Sequence, residues 1–284
     1  MQELARVMTP SANVELETVE MKLLLEGLYQ YYGFDFRQYA PASLRRRIKG
    51  FQRAEKLPSI SALQACVLHD TETMERLLKA LTVHVSAMFR DPDFFRAIRE
   101  QVVPILRTYP LVRIWCAGCS TGEEAYSLAI LLHEEGIYDR CRIYATDLHE
   151  HIVRQARDGI FPLGLMREYD ANYRASGGMS SLSDYYTAAY DHVMMRPSLR
   201  RHIIFAPHNL ACDASFNEFQ MILCRNAMIY FSKPLQDRVH ALLYESLCVF
   251  GFLGLGSRES LRFTAHEQDY REIGSGQRLY QRIR

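Results

Sequence analysis

The stretch VRIWCAGCSTGEEAYSLAI, Val112 to Ile130, decides the fold. VRIWCA is a short apolar run of strand length, and GCSTG is loop chemistry. EEAYSLAILLHEEG is an amphipathic helix that stops at Gly136. CRIYATD then reads as a second strand and EHIVRQARDG as a second helix. A β-α-β-α series predicts a parallel sheet covered by helices. Further on, HIIFAPHNL, FQMILCRN, GFLGLGS and QRLYQRIR read as strands, and LQDRVHALLYESL as a helix. Residues 109–284 are therefore expected to form a doubly wound α/β domain. After Phe161-Pro162 the chain turns irregular, with glycine and serine, which predicts a small insertion at about 163–197.

Upstream of Leu111 the texture is helical. Met21, Leu24, Leu25, Leu28 and Tyr32 fall at helix spacing, and SLRRRIKGFQRAEKL is a second helix. Ser59–Leu68 and Thr71–Leu81 suggest two more, with Thr71 as the expected N-cap. Asp91-Pro92 opens another, with proline in its first turn. The expected organisation is a flexible tail over 1–15, an all-helical domain over 16–108, and the α/β domain with its insertion.

The bulk numbers exclude several classes. A formal net charge of +1 gives no global attraction to nucleic acid or membrane, so charge recognition must be local. No apolar run reaches the length of a membrane span. The stretch MQELARVMTPSANVELETVE lacks the apolar core of a signal peptide. Seven cysteines, an odd number without framework spacing, predict reduced thiols in the cytoplasm.

The loop after the first strand carries the chemistry. Trp115-Cys116-x-x-Cys119 has the flavour of a thiol redox motif, which also lies between a strand and a helix. The sequence downstream does not continue as a thioredoxin-sized unit. Zinc would need more ligands than one pair of cysteines offers. Two small side chains lining a tight turn is the simpler reading. In a doubly wound fold this loop approaches a cofactor at the carboxyl edge of the sheet, and an acidic residue after the second strand holds ribose hydroxyls. Asp147 sits there. There is no GxGxxG, and two glutamates beside a pyrophosphate would repel it. A cofactor with a positively charged end suits them, and S-adenosylmethionine has an ammonium, a sulfonium and a ribose. His149-Glu150-His151 tempts a metal reading, but neighbours at a helix start face different ways, so no metal is expected. Gly254 to Ser257 is not a nucleophile elbow, because no Ser-Asp-His order accompanies it.

LTVHVSAMFRDPDFF, WCAGCSTGEEAYSLA, YATDLHEHIVRQARDGIF, FAPHNL, ILCRNAMIYF and GFLGLGSRES occur in that order. Together they resemble the CheR family of chemotaxis methyltransferases, over about residues 20 to 284. The resemblance implies an all-helical N-terminal domain before a Rossmann-like S-adenosylmethionine-dependent methyltransferase domain with a small inserted β-subdomain. It implies transfer of a methyl group to glutamate side chains of chemoreceptor-type signalling proteins. By the same resemblance, Glu124 would bind the methionine ammonium and Asp147 the ribose. Asn209 and Leu210 would border the adenine, and Cys224 and Arg225 would line the site. Ser86 and Arg90 would reach over from the N-terminal domain. Arg90 and Tyr230 would act at the reacting end. At His84, another cofactor-contact position, the family usually has asparagine.

The competing expectation is a non-catalytic S-adenosylmethionine sensor or docking scaffold. His84 points that way; Arg90, Glu124, Asp147 and Tyr230 point the other. The run Arg45, Arg46, Arg47 and Lys49 is either a solvated helix face or an electropositive surface for an acidic receptor helix. It lacks the aromatic residues of a nucleic-acid surface. Some family members dock a receptor tail on the inserted subdomain; NYRASGGMSSLSDYYTAAYDHVMM departs from that pattern.

Overall fold

A computed structural model of the chain describes residues 10–81, 86–274 and 276–284. His84 lies outside them. Contacts divide the chain into two units, Met1–His84 with Tyr230–Leu235, and Val85–Ile229 with Gln236–Arg284.

The first unit contains α1 (Pro10–Tyr32), α2 (Pro41–Ala54), α3 (Ile60–His69) and α4 (Thr71–Leu81). α1 takes in residues 10–15, which the sequence reading leaves in the tail. Leu24, Leu28, Ile48, Leu63, Val67 and Leu77 are fully buried and recur at helical spacing, so each helix turns one apolar stripe inward. Ser59 caps α3 by accepting the Ala62 amide. The cap of α4 is Asp70 rather than Thr71. Its carboxylate accepts the Glu72 amide at 3.2 Å and the Thr73 amide at 3.1 Å. A carboxylate offers two acceptor oxygens there and also favours the positive helix end.

The second unit begins with α5 (Pro92–Ala97), which widens into a π turn over Ile98–Val102 and closes as α6 (Val103–Leu106). β1 (Val112–Ala117), α7 (Glu123–Glu134), β2 (Cys141–Asp147) and α8 (Glu150–Asp158) follow as the periodicity predicts. The insertion holds β3 (Ile160–Pro162), α9 (Met166–Ala175), β4 (Tyr186–Ala189) and β5 (His192–Met195). After α10 (Pro197–Arg200) come β6 (Ile203–Pro207), β7 (Phe219–Cys224), α11 (Lys233–Ser246), β8 (Leu247–Leu255), β9 (Tyr270–Ile273) and β10 (Leu279–Arg282).

The large sheet has the order β6-β2-β1-β7-β8-β10-β9. Its first five strands pair in parallel, and β10 runs antiparallel to both its neighbours. The winding reverses at β1: β2 and β6 lie on one side, β7 and β8 on the other. In such sheets the crevice outside the carboxyl ends at the reversal is where ligands bind. Strands buried on both faces explain the continuous apolar runs in the sequence. Trp115 is fully buried on one face, stacked on Phe219 with ring centroids 5.4 Å apart. Leu128, Ile130 and Leu131 of α7 are fully buried among the core residues.

The insertion is a three-stranded antiparallel sheet, β3-β5-β4, with α9 beside it in sequence. It is tied to the domain through Glu134 of α7. That carboxylate accepts the Tyr173 and Tyr185 hydroxyls and the Met179 amide, and pairs with buried Arg99. The stretch read as irregular thus contains a helix. Met166, Tyr169 and Tyr173 recur at i, i+3 and i+7 and are buried, a helical signal that SGGMSS immediately after them obscures.

Candidate functional site

The loop after β1 is wound tightly by three left-handed residues: Gly118 at φ +79°, Ser120 at φ +51° and Gly122 at φ +98°. Glycine is needed at Gly118, where a Cβ would come 3.0 Å from the Ala227 methyl, and at Gly122, where it would meet Ala156 of α8. The Gly118 and Cys119 amides both bond the Thr146 carbonyl at 2.8 Å. The Ser120 amide bonds Asp147 Oδ2 at 2.9 Å. The end of β2 therefore shapes the loop that follows β1. Asp147 does not occupy the N-cap of α8; His149 does. The other Asp147 oxygen has only a long contact, 3.4 Å, from the His149 amide. The Ser120 hydroxyl is buried with no hydrogen-bond partner among the described residues.

The adjacent glutamates at the start of α7 have different fates. Glu124 forms an ion pair with Arg225 at 2.9 Å. Arg225 is almost wholly buried, and its second amino group reaches Asp91 and the Arg90 carbonyl. The guanidinium lies 4.1 Å over the Phe94 ring. Glu123 has no basic partner. It accepts the Thr121 hydroxyl and lies in hydrogen-bond reach of the Ser86 and Tyr169 hydroxyls. Burial pushes its carboxyl above the ordinary range.

The other end of the crevice is the loop after β7, Arg225 to Met228. Asn226 is left-handed at φ +60°. The Asn226, Met228 and Gly256 amides all bond the carboxylate of Glu259, each at 2.8 Å. Sequence reading passed over Glu259, since its partners are backbone amides that leave no trace in residue type. A cleft of about 330 Å³ opens beside this loop, lined by Asp91, Asp93, Phe94, Arg225, Leu255 and Gln277 among others.

The remaining sequence candidates fall as follows. Ser86 and Arg90 belong to the second unit rather than the helical one. Asn209 builds a turn after β6: its Oδ1 accepts the Ala211 amide at 2.9 Å, and its own amide bonds Asp213. Leu210 is buried beside it in sequence. Cys224 is fully buried at the end of β7. Tyr230 groups with the helical unit, where Arg47 lies 4.3 Å over its ring. Cys116 and Cys119 are free and buried, and burial pushes both thiols far above the range of a reactive thiolate. Among the described residues no cluster of His, Cys, Asp and Glu could hold a metal, and no helix is long and apolar enough to cross a membrane.

The crevice thus presents carboxylates on two strands' ends and one buried guanidinium, a set that suits a cationic ligand bearing its own carboxylate and hydroxyls. Residues 84–277 match the family model "CheR methyltransferase, SAM binding domain", and residues 20–82 match "CheR methyltransferase, all-alpha domain". The fold and site are those of an S-adenosylmethionine-dependent methyltransferase. The chain belongs to the CheR family. A Pseudomonas putida protein named "Putative methyltransferase Cher3" is 48% identical over 97% of this chain and 100% of its own length. The "Chemotaxis protein methyltransferase" of Listeria innocua is 29% identical, covering 81% of this chain and 85% of its own. "Chemotaxis protein methyltransferase 2" of Pseudomonas aeruginosa is 28% identical, covering 85% and 86%.

The residues present fit S-adenosylmethionine. The unpaired Ser120 hydroxyl is a polar group in want of a partner. The lightly used Asp147 oxygen is an acceptor where ribose hydroxyls are bound in this fold.

Proposed function

We propose that the chain transfers a methyl group from S-adenosylmethionine to glutamate side chains on the cytoplasmic helical region of a chemoreceptor-type signalling protein, and that it works in the cytoplasm. The observation that carries this reading is the Asp91–Arg225–Glu124 chain of ion pairs at the sheet reversal, beside Asp147. The names of its relatives as chemotaxis methyltransferases support the substrate class.

Bound S-adenosylmethionine supplies an electrophilic methyl group on a positively charged sulfur. Glu124 takes the methionine ammonium, and Arg225 the methionine carboxylate. Both are already held in one plane of charge by their mutual contact, so little ordering cost remains. Asp147 takes the ribose hydroxyls. Asn209 and Leu210 border the adenine, and Ser86 and Cys224 complete the lining. A substrate glutamate is ionised at neutral pH, so no strong general base is needed. Arg90 clamps the incoming carboxylate, and Tyr230 fixes it by its hydroxyl. Charge on nucleophile and leaving group falls together during transfer, so catalysis rests on alignment and exclusion of water.

Helix α2 is the proposed receptor-facing surface. Arg46 is exposed. Arg45 bonds Thr18, Lys49 pairs with Glu17, and Arg47 bonds the Leu81 carbonyl. The Lys49 pair is partly solvated and of the kind that contributes little, so it can exchange for an acidic partner.

The test is transfer of tritiated methyl from S-adenosylmethionine to a purified receptor cytoplasmic fragment, followed by mild base. A glutamyl methyl ester releases volatile methanol. Label that stays on the protein in base, or label absent although S-adenosylhomocysteine binds, would rule this function out.

A further inference from the structure

Glu259 is a buried carboxylate that the chemistry above does not use. It stands two residues past Ser257 in the GSRES segment, after β8. Its Oε2 accepts the Asn226 and Gly256 amides and its Oε1 the Met228 amide. Three backbone donors converge on one side chain, which is what a buried carboxylate requires to stay charged. Two of the three belong to the loop after β7. Asn226 holds a left-handed conformation that only a few non-glycine residues tolerate. The peptide it opens follows directly on Arg225. The Arg225 side chain spans Glu124 and Asp91. Fixing the Asn226 and Met228 amides fixes the backbone from which that guanidinium projects. The packing is closed: a Cβ on Gly256 would come 2.7 Å from the Asn226 nitrogen and from Glu259 Oε2.

We infer that Glu259 is a positioning residue of the S-adenosylmethionine site: by receiving three backbone amides from two loops, it holds Arg225 in register with Glu124. The inference rests on the proposed roles of Glu124 and Arg225 at the methionine end.

Glu259→Gln tests it. The amide keeps the shape but has one acceptor oxygen, so at least one backbone N–H meets an N–H instead. Gly256→Ala tests it independently, displacing the same carboxylate while leaving it charged. Glu259→Asp keeps the charge with a shorter reach. Each folded variant is titrated calorimetrically with S-adenosylhomocysteine, its melting is recorded, and its methyl transfer is measured against S-adenosylmethionine concentration. The expected result is about tenfold weaker binding and a matching rise in KM for Glu259→Gln and Gly256→Ala, a change in kcat of no more than about threefold, and an intermediate affinity for Glu259→Asp. Wild-type affinity and KM in a variant that melts lower would overturn the inference, making Glu259 a structural acid only. Failure of all three to fold would overturn it in the same way. The parent and Glu124→Ala run beside them. If the parent does not bind, or Glu124→Ala binds like the parent, the site reading itself falls. If they behave as proposed while the Glu259 and Gly256 variants bind normally, only the positioning role falls.

Discussion

Two loops meet at the carboxyl edge of the sheet, and each is shaped by one carboxylate. The loop after β1 hangs on Asp147, which gives one oxygen to the Ser120 amide and keeps the other almost unused. The loop after β7 hangs on Glu259, whose two oxygens are filled by three amides. An acid with acceptor capacity to spare can serve scaffold and ligand together. An acid whose capacity is spent on backbone serves the ligand only through what it holds in place. Arg225 joins the two systems, since it starts one loop and pairs with Glu124 just past the other.

The joining residue gives the largest expected effect. Arg225→Ala strips Glu124 of its cation and removes the guanidinium from Phe94. Removing one partner of a buried pair costs about 3 kcal/mol, at the low end because Asp91 remains half in water. Thermal unfolding is expected to drop by roughly 8 °C, and S-adenosylhomocysteine affinity by about a hundredfold or more. A variant that melts lower but binds normally would break the idea that the two loops share a ligand.

Asp147→Ala comes next. It removes one hydrogen bond to the scaffold and the proposed ribose acceptor together. Hydrogen bonds to a charged group contribute about 1.5–3 kcal/mol each, so affinity is expected to fall roughly thirtyfold to a hundredfold. Asp147→Asn separates the two roles. The remaining carbonyl oxygen can still receive the Ser120 amide, so the melt recovers while binding stays weak. Equal recovery of both would make Asp147 a scaffold acid like Glu259.

The fold was legible where a residue pattern reports directly on burial. The β-α-β-α series showed because strands covered on both faces are continuously apolar and α7 alternates on a helical period. α9 was missed because its buried Met166, Tyr169 and Tyr173 stand against a glycine- and serine-rich tail that reads as loop. Asp70, rather than Thr71, caps α4 because both residues suit that position and only the backbone path chooses between them. In the site, Glu124 and Asp147 stood out by their place after a strand. The Glu124–Arg225 contact joins residues 101 apart in sequence, and Glu259 speaks only to backbone. Neither leaves a local signature.

The neighbouring glutamates sharpen the comparison further. Glu124→Gln is expected to weaken S-adenosylhomocysteine binding about tenfold or more, and Glu123→Gln by no more than about threefold. Their stability effects carry opposite logic. Burial raises the Glu123 pKa above its model value of 4.5. The folded state therefore binds a proton more readily than the unfolded chain, and the ionised carboxylate destabilises the fold above the raised pKa. That penalty fades as pH falls through the raised value and is gone below 4.5. Relative to wild type, Glu123→Gln is expected to gain most at pH 7 and lose that gain as the pH approaches 4.5, read as the difference in melting temperature. A difference that grows on acidification would show that Glu123 is stabilised as an anion, as Glu259 is proposed to be.

The smallest effect is expected from the residues that first draw the eye. Cys116 and Cys119 flank the Ala117-Gly118 turn of the same loop, yet each is buried with its thiol pushed far above neutrality. A thiol that does not ionise is neither a good nucleophile nor a ready metal ligand. The double variant Cys116→Ala, Cys119→Ala removes two buried sulfurs from a loop whose shape is set by backbone bonds to Thr146 and Asp147. The expected cost is a fall in melting temperature of a few degrees from the small cavities left behind. Methyl transfer and S-adenosylhomocysteine affinity are expected to stay within about twofold, because no polar contact of the crevice is lost. Loss of transfer in a folded double variant would return the redox reading of CxxC to consideration. Retention would show that small side chains are present there because the turn leaves no room for larger ones.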